Sequence, residues 1–473
     1  MYLFKYIIRW ARRKLQLTAY FLVIIVKEVK KQVNMKKVYI ETLGCQMNKS
    51  DSERILGMLS HFGYEETTEP KEADFLIINT CSIRQLSADK AYSCVGVWGK
   101  WKKERNENLK IGFCGCVAQQ DKEKLQKRFP YVDLVFGPSN LYQLPELVKR
   151  IEQGEKVCAV SERPYITDES QFEIKRAQSL NAWIPIMEGC DNFCTYCIVP
   201  FTRGRERSRE PEKIIAEEEN AIEHGFKEIT LLGQNVDSYG KGLGEEVTLA
   251  NLLRELNKIE GKFRIRFVTS YPTDISDDLI KAVGECEKVC EYFHIPMQSG
   301  STTLLKDMNR RYTREEYGKI VKKIRKAFEN VTITSDFIAG FPGETEEQFN
   351  ETLSAIDEFE LDYSNTAAYS PREKTKAARW VDKFIDEETK MKRLAILNEK
   401  NREACLKSNQ KFVGKTLEIL VESFEEKDGK IILAGRARNN KIAHFEGKKE
   451  LVGEFVNVKI TKASTWHVAG ELE

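Results

Sequence analysis

"EGCDNFCTYCIVPFTRGRERSR", residues 188 to 209, carries Cys190, Cys194 and Cys197 at C-x₃-C-x₂-C spacing, with no fourth cysteine to close the set. A structural zinc site takes four ligands. No nearby His or Cys offers itself, and the next cysteine is Cys286. Three thiolates match instead a [4Fe–4S] cluster in which one iron stays open, as catalytic metal sites keep one position free. The stretch begins where an apolar run, "AWIPIME", ends. Parallel α/β barrels place their chemistry in such loops, just past the carboxyl ends of strands.

Outward from this loop, six strand-like runs lie between about 182 and 370: "AWIPIME", "EITLLG", "RIRFVTS", "YFHIPM", "VTITSDFI" and "DYSNTAAY". Helical patterns separate them, from "PEKIIAEEENAIEHG" to "EEQFNETLSAIDEF". The alternation predicts a partial (β/α)₆ barrel. Pro185 inside the first run fits an edge strand, where a missing N–H is tolerated. Polar residues and glycines gather at the carboxyl ends: "GQN" with Gln234 and Asn235, "TSYP" with Ser270, "QSGS" with Gln298, and "GFPGE". Each alone is no more than a turn. Their shared location predicts an occupied barrel mouth.

Upstream, about 37 to 155, "KVYIETL", "DFLIINT", "LKIGFC" and "DLVF" alternate with helical patterns, which predicts a parallel, Rossmann-like α/β sheet. Cys45, Cys81 and Cys116 each follow a different run, 36 and 35 residues apart. The binding crevice of an open α/β sheet lies outside the strands' carboxyl ends, so three distant ligands can converge there. Cys114 rivals Cys116, because i and i+2 share a strand face. Downstream, a charged helix, about 386 to 407, precedes "TLEILVES", "KIILAGRA", "EFVNVKI" and "TWHVAGEL", a small all-β barrel. Expected units are an extension over 1–34, an α/β domain over 35–160, the barrel domain over 176–408 and the β tail over 409–473.

At 473 residues, 41% hydrophobic and 31% charged, the chain reads as soluble, globular and multidomain. Residues 1 to 34 hold eight Lys and Arg against one Glu, so the overall charge of +2 leaves −5 for the remainder. Any nucleic-acid surface is therefore a local patch. That basic stretch has no uncharged run long enough to span a bilayer and no signal-peptide cleavage site. It reads as an upstream extension, with Met35 the working start, or as an interfacial amphipathic helix. Twelve cysteines without a secretion signal point to metal or redox use in a reducing cytosol. Cys94, Cys158, Cys286, Cys290 and Cys405 read as small packed residues, with Cys286 and Cys290 at i and i+4 on a helix.

"TLGCQMN" at Cys45, "NTCSIR" at Cys81, "GCVAQ" at Cys116, the C-x₃-C-x₂-C loop, "LLGQNV", "QSGS" and "GFPGET" occur in this order. Together they closely resemble the radical S-adenosylmethionine methylthiotransferases, and within them the branch acting on isopentenylated adenosine of tRNA. The resemblance runs from about Lys37 to the C-terminus. It implies two [4Fe–4S] clusters, one on Cys190, Cys194 and Cys197 and the other on Cys45, Cys81 and Cys116. It implies S-adenosylmethionine chelated by the open iron of the barrel cluster, with Tyr196 the aromatic near its adenine. Gln234, Asn235, Ser270, Gln298, Arg203 and Arg205 are the expected cofactor contacts, and the tail becomes an RNA-binding TRAM domain. The implied reaction inserts sulfur and a methyl group at carbon 2 of the base, using two S-adenosylmethionines.

The cleaving cluster needs a potential of roughly −400 mV or below, so a flavodoxin- or ferredoxin-like donor is implied. The other expected partner is the tRNA anticodon loop, single-stranded where a base is most cheaply exposed. A cytoplasmic monomer with no stable membrane association is expected. Arg203, Arg205, Arg207 and Arg209 are read either as a solvated face pairing with Glu206 and Glu210, or as phosphate contacts and charge support for the cofactor. In the tail, Arg436, Arg438 and Lys441 flank "NN" in a turn, a candidate RNA grip. The alternatives are a sister enzyme acting on threonylcarbamoyl-adenosine or a ribosomal protein, and a non-catalytic RNA-binding protein with structural Fe–S or zinc sites.

Overall fold

A computed structural model describes residues 35–82, 85–104, 106–161, 172–177 and 179–473. The basic stretch 1–34 lies outside them. The first unit is a parallel sheet of β1 (Lys36–Leu43), β2 (Tyr64–Glu66), β3 (Phe75–Thr80), β4 (Lys110–Gly115), β5 (Leu134–Phe136) and β6 (Val157–Ala159). Its order is β2-β1-β3-β4-β5-β6. β3 is buried throughout, because helices cover both faces. Phe75 and Ile77 enter one apolar layer and Leu76 and Ile78 the other, following the strand's period of two. The edge strands β2 and β6, three residues each, have no run long enough to be read from sequence. The chain passes from β1 outward to β2 and then back to β3, so the order reverses between β1 and β3. Such a switch point opens a crevice at the carboxyl ends.

The second unit holds β7 (Asn181–Pro185), the short antiparallel pair β8 (Met187–Glu188) and β9 (Arg207–Ser208), then β10 (Glu228–Leu232), β11 (Arg264–Phe267), β12 (Tyr292–His294), β13 (Thr332–Ala339) and β14 (Tyr363–Ala368). Two parallel sheets, β7-β10-β11 and β12-β13-β14, meet through one bridge, Ile265 to Val289, and form an open barrel. β7 is the edge strand, and Pro185 is its last residue, opposite Leu232. The predicted single run through Glu188 instead breaks after Pro185, and β8 and β9 pair across the base of the cysteine loop. Cys286 and Cys290 do not share a helix: the segment Asp277–Glu285 ends at Cys286, its C-cap, and both cysteines are buried beyond it.

The tail is a closed barrel of β15 (Thr416–Lys427), β16 (Lys430–Ala437), β17 (Ile442–Glu446), β18 (Phe455–Ala463) and β19 (Val468–Leu472), in the order β15-β16-β17-β19-β18. β17 is the strand the sequence pattern hid, and its parallel pairing with β19 closes the barrel. Both interfaces of the central barrel are built from charge. On one side Glu217 receives Arg54 of the first unit at 2.8 Å, Arg176 at 2.7 Å and Arg209 at 2.8 Å, all well buried. On the other, Glu228, Arg264 and Arg266 sit where β10 and β11 begin. Glu228 accepts from both arginines, at 2.6 and 2.8 Å. The guanidiniums donate onward to the carbonyls of Arg436 (2.9 Å), Ala437 (2.6 Å) and Arg438 (2.5 Å).

The tail therefore docks on the strand-start end of the barrel, opposite the cysteine loop. Two of the three cations in its basic turn, Arg438 and Lys441, are committed to this dock, which leaves only Arg436 of the expected RNA grip at the surface. Arg438 pairs with Glu291 at 2.8 Å and donates to the Val289 carbonyl at 2.6 Å. Lys441 is buried and donates to Ser408 at 2.6 Å. Arg436 faces Glu422 of its own barrel at 3.6 Å.

Candidate active site between two cysteine triads

Cys45, Cys81 and Cys116 follow the last residues of β1, β3 and β4, three adjacent strands astride the switch point. Cys45 N-caps the helix Gln46–His61, and Cys116 opens the helix Cys116–Asp121. Helix N-termini favour thiolates. A buried amide knot holds the first two turns together. The Asn48 amide donates to Asn79 Oδ1 at 2.9 Å, Asn79 donates to the Asn48 carbonyl at 2.8 Å, and Asn48 Oδ1 faces Cys45 Sγ at 3.4 Å. These asparagines belong to the quoted "QMN" and "NTC" motifs, and they are supporting residues that reading cysteines alone passes over. A hydrogen bond from Cys81, aided by the charge of Arg203, brings the Cys45 thiol down to about 6 against the pull of burial. Burial pushes the Cys116 thiol up, and Arg203 opposes the rise.

Cys114 does not compete for this place. The chain turns at Gly115 with φ of 89°, and a Cβ there would meet the Thr80 carbonyl oxygen at 2.4 Å. The shared-face rule therefore fails at this pair, leaving Cys114 in the sheet core and Cys116 at the crevice.

The barrel loop is fastened along its length. Gly189 donates to Gln234 Oε1 at 2.6 Å, and Cys190 to the Gly204 carbonyl at 3.2 Å. Thr195 donates twice to the segment before Arg310, to the Met308 and Asp307 carbonyls at 3.0 and 2.9 Å. Asn309 donates to the carbonyls of Asn192 and Phe193 at 3.0 and 3.1 Å. Arg310, buried at 8% exposure, stands 3.6 Å from Cys194 Sγ and 4.3 Å from the Tyr271 ring centre. It follows "QSGS" by only a few residues in sequence, yet only the fold shows it at the thiols. Burial pushes the Cys197 thiol up to about 12, with the neighbouring Cys194 adding to the rise.

The donor sets decide what each triad can hold. Among the described residues no group of three or more His, Cys, Asp or Glu is gathered tightly enough for a single metal ion. A lone zinc would need four donors at about 2.0–2.3 Å from one centre. A four-iron cluster instead spreads its thiolates over separate irons, and three thiolates with one iron left open match the donor type and count of each triad. Each triad also has one buried arginine beside it, Arg203 or Arg310, matching the negative charge of bound thiolates. Both triads fit a [4Fe–4S] group held by three ligands.

The four arginines after the loop divide. Arg203 turns away from the barrel thiols and reaches Asp51 of the first unit at 2.6 Å, beside Cys116. It is 3% exposed. Arg205 is exposed and pairs with Asp191 at 2.6 Å, holding that carboxyl down to about 2. Arg207 reaches Glu188 at 3.3 Å and Arg209 reaches Glu217 at 2.8 Å. Neither Glu206 nor Glu210 is the main partner expected of them. Ser270 donates to Asp237 at 3.1 Å, Asn235 donates to Asp274 at 2.6 Å, and Gln298 sits at φ of 74° bonded by its backbone to β13. Tyr196 packs edge-on against Phe341. A polar cavity of about 740 Å³ opens at the ends of β10 and β11, lined by Asp191, Glu206, Asn235, Asp237, Lys241 and Asp274 among others. No cysteine lines it, and of the expected cofactor contacts only Asn235 does.

Three family models match in succession: Uncharacterized protein family UPF0004 over residues 37–137, the Radical SAM superfamily over 184–356 and the TRAM domain over 410–472. A tRNA-2-methylthio-N(6)-dimethylallyladenosine synthase of Clostridium novyi is 46% identical over 445 residues, covering 93% of this chain and 98% of the relative. The enzyme of the same name from Thermoanaerobacter pseudethanolicus is 44% identical over 454 residues, covering 95% of each. Among solved structures, the radical S-adenosylmethionine methyltransferase TsrM from Kitasatospora setae, with cobalamin and a [4Fe–4S] cluster bound, aligns at a TM-score of 0.55. It covers 72% of this chain and 77% of that one at 14% identity, which speaks for the fold alone. A radical S-adenosylmethionine domain flanked by the two other matched models, with relatives matched almost end to end, places this chain in the tRNA-2-methylthio-N(6)-dimethylallyladenosine synthase family of radical S-adenosylmethionine methylthiotransferases.

Proposed function

We propose that this chain converts isopentenylated adenosine beside the anticodon of tRNA to its 2-methylthio derivative, with one [4Fe–4S] cluster on each triad and two S-adenosylmethionines consumed. The observation that carries it is Arg203. It belongs to the loop of the barrel triad, yet its guanidinium is buried against Asp51 and Cys116 of the other triad. The helix Val199–Thr202, which leads to Arg203, packs on the helix opened by Cys116. This contact supports the reading that both triads serve one substrate base. When bound, the clusters and S-adenosylmethionine supply radical chemistry able to break an inert C–H bond, together with a sulfur atom and a methyl group.

The protein's own share is binding and position. Cys190, Cys194 and Cys197 would hold the barrel group, with Arg310 balancing its charge. Cys45, Cys81 and Cys116 would hold the other, with Arg203 in the same part. Tyr196, Gln298 and Ser270 lie on the mouth loops that would orient the cofactor. The chain is proposed to act as three units, 35–160, 176–408 and 409–473, as a cytoplasmic monomer reduced by a flavodoxin- or ferredoxin-like donor. Among the described residues no helix is long and apolar enough to cross a membrane.

The test is nucleoside mass spectrometry of tRNA treated with the cluster-loaded chain. The methylthio product should form on isopentenylated tRNA. Unmodified adenosine should react at least about tenfold more slowly, since an apolar pocket gains roughly 1–3 kcal/mol per methylene. No product from isopentenylated tRNA, under conditions that cleave S-adenosylmethionine, would overturn the reading.

A further inference from the structure

Between β14 and the helix Glu387–Gln410 the chain crosses beside the barrel's cysteine loop as "PREKTKAARWVDKF", residues 371 to 384, with five cations against two acids. This strap is fixed to both units that bear a triad. Ala377 donates to the Thr195 carbonyl at 2.8 Å, between Cys194 and Cys197 in sequence. Arg372 donates to Gln85 Oε1 of the first unit at 2.7 Å. Trp380 packs edge-on against Phe341, which also meets Tyr196, and the Lys383 carbonyl accepts from Gly343 at 2.8 Å.

The remaining cations, Lys374, Lys376, Arg379 and Lys383, are exposed. Among the described residues none of the four makes an ion pair; the strap's Glu373 is taken by Lys124 at 3.2 Å. These four cations outnumber Asp382, the strap's other acid, and leave a net positive field beside the cysteine loop, with Lys383 also 5.7 Å from the Trp380 ring centre. In the tail's basic turn, by contrast, Arg438 and Lys441 are drawn into the dock at the far end of the barrel. Resting on the reading of the preceding subsection, we propose that this strap is the phosphate-binding rim that seats the anticodon stem–loop over the two triads. The side chains of Lys374, Lys376, Arg379 and Lys383 contact the RNA backbone, which positions the base without reading sequence.

The experiment measures affinity of the full-length, cluster-loaded enzyme for isopentenylated tRNA across a salt series. The variant K374Q/K376Q/R379Q/K383Q is set against K319Q/K322Q on the barrel's outer helix Arg314–Ala327. The strap variant should bind at least about tenfold more weakly near physiological salt, and its log–log salt slope should fall by about 3. The outer-helix variant should keep the wild-type slope. Should the fourfold variant lose iron or melt early, K376Q alone should lower the slope by about 0.7–0.9. Wild-type affinity and slope in these variants would overturn the proposal. So would unchanged RNA binding with slower reduction by an acidic flavodoxin, which would make the strap a reductant surface. A wild-type chain with no affinity for the tRNA would overturn the preceding reading along with this one.

Discussion

The two triads assemble three cysteines each by opposite routes. The barrel triad spans eight residues of one loop, Cys190 to Cys197, whereas the other draws on three strand ends spread from Cys45 to Cys116. The first is local, so its shape survives as long as the loop and its anchors at Asp307, Met308 and Asn309 do. The second exists only once β1, β3 and β4 have paired, so it is a property of the assembled sheet. Their neighbours differ too. Arg310 serves the barrel triad from within its own unit, while the arginine beside the sheet triad is lent by the barrel loop. A local site can be made ready alone; the dispersed one depends on its own fold and on the neighbouring unit.

The harshest way to break this comparison is to remove each triad. Alanine at Cys190, Cys194 and Cys197 should abolish both 5′-deoxyadenosine formation and the tRNA product. Alanine at Cys45, Cys81 and Cys116 should leave half the iron and some cofactor cleavage, with no methylthio product. Iron counts and product chromatography read both; methylthiolated tRNA from the second variant would end the division of labour.

Removing the lent arginine comes next. Arg203→Met strands the buried carboxylate of Asp51, and breaking one partner of a buried pair costs about 3–5 kcal/mol. Denaturant melts should show that loss, and Asp51→Leu added to Arg203→Met should recover part of it. Iron should leave the sheet triad before the barrel triad, read by the change in cluster absorbance.

A gentler probe is pH. Burial pushes the Asp237 carboxyl, beside the barrel mouth, up to about 8. The native chain then keeps a proton that the unfolded chain releases near pH 4. This contribution is complete below about pH 4 and is lost as pH rises to about 8, at most about 1.4 kcal/mol per pH unit. Asp237→Asn should flatten the slope of stability against pH across that window. Ser270 and the Tyr271 N–H bond this carboxyl, and Asp274 is its charged neighbour. The smallest effect belongs to Arg205→Gln. That side chain is exposed, with Asp191 as its ion partner and the Phe193 ring 5.3 Å away, so melts and the KM for S-adenosylmethionine should stay near wild type. A large rise in KM would return Arg205 to the cofactor contacts expected from sequence.

The parts legible in the sequence are those written in local pattern. The alternation of apolar runs and helices located the strands that matter, and a cysteine after three of the first unit's four runs pointed to the crevice before any contact was known. Short strands escaped: three-residue edges such as Tyr64–Glu66 carry no period, and Ile442–Glu446 followed a turn rich in Asn and was absorbed into it. Partners in space escaped for a different reason. Nothing local links Arg203 to Asp51, 152 residues away, or sends Arg266 to the carbonyls of a turn 171 and 172 residues on. Charge patterning could say that arginines cluster after the cysteines, not that each would leave in its own direction.

That last contact has an evolutionary side. Arg264 and Arg266 hold the tail by the carbonyl oxygens of Arg436, Ala437 and Arg438, groups that every residue type possesses. These two arginines recognise the path of the turn, while Arg438 on Glu291 and Lys441 on Ser408 fix its side chains as well. The outward face of the tail can drift while that joint stays intact. Substitutions in Arg264 or Arg266, in Arg438 or in Lys441 should therefore be far less forgiving than substitutions across the outward face.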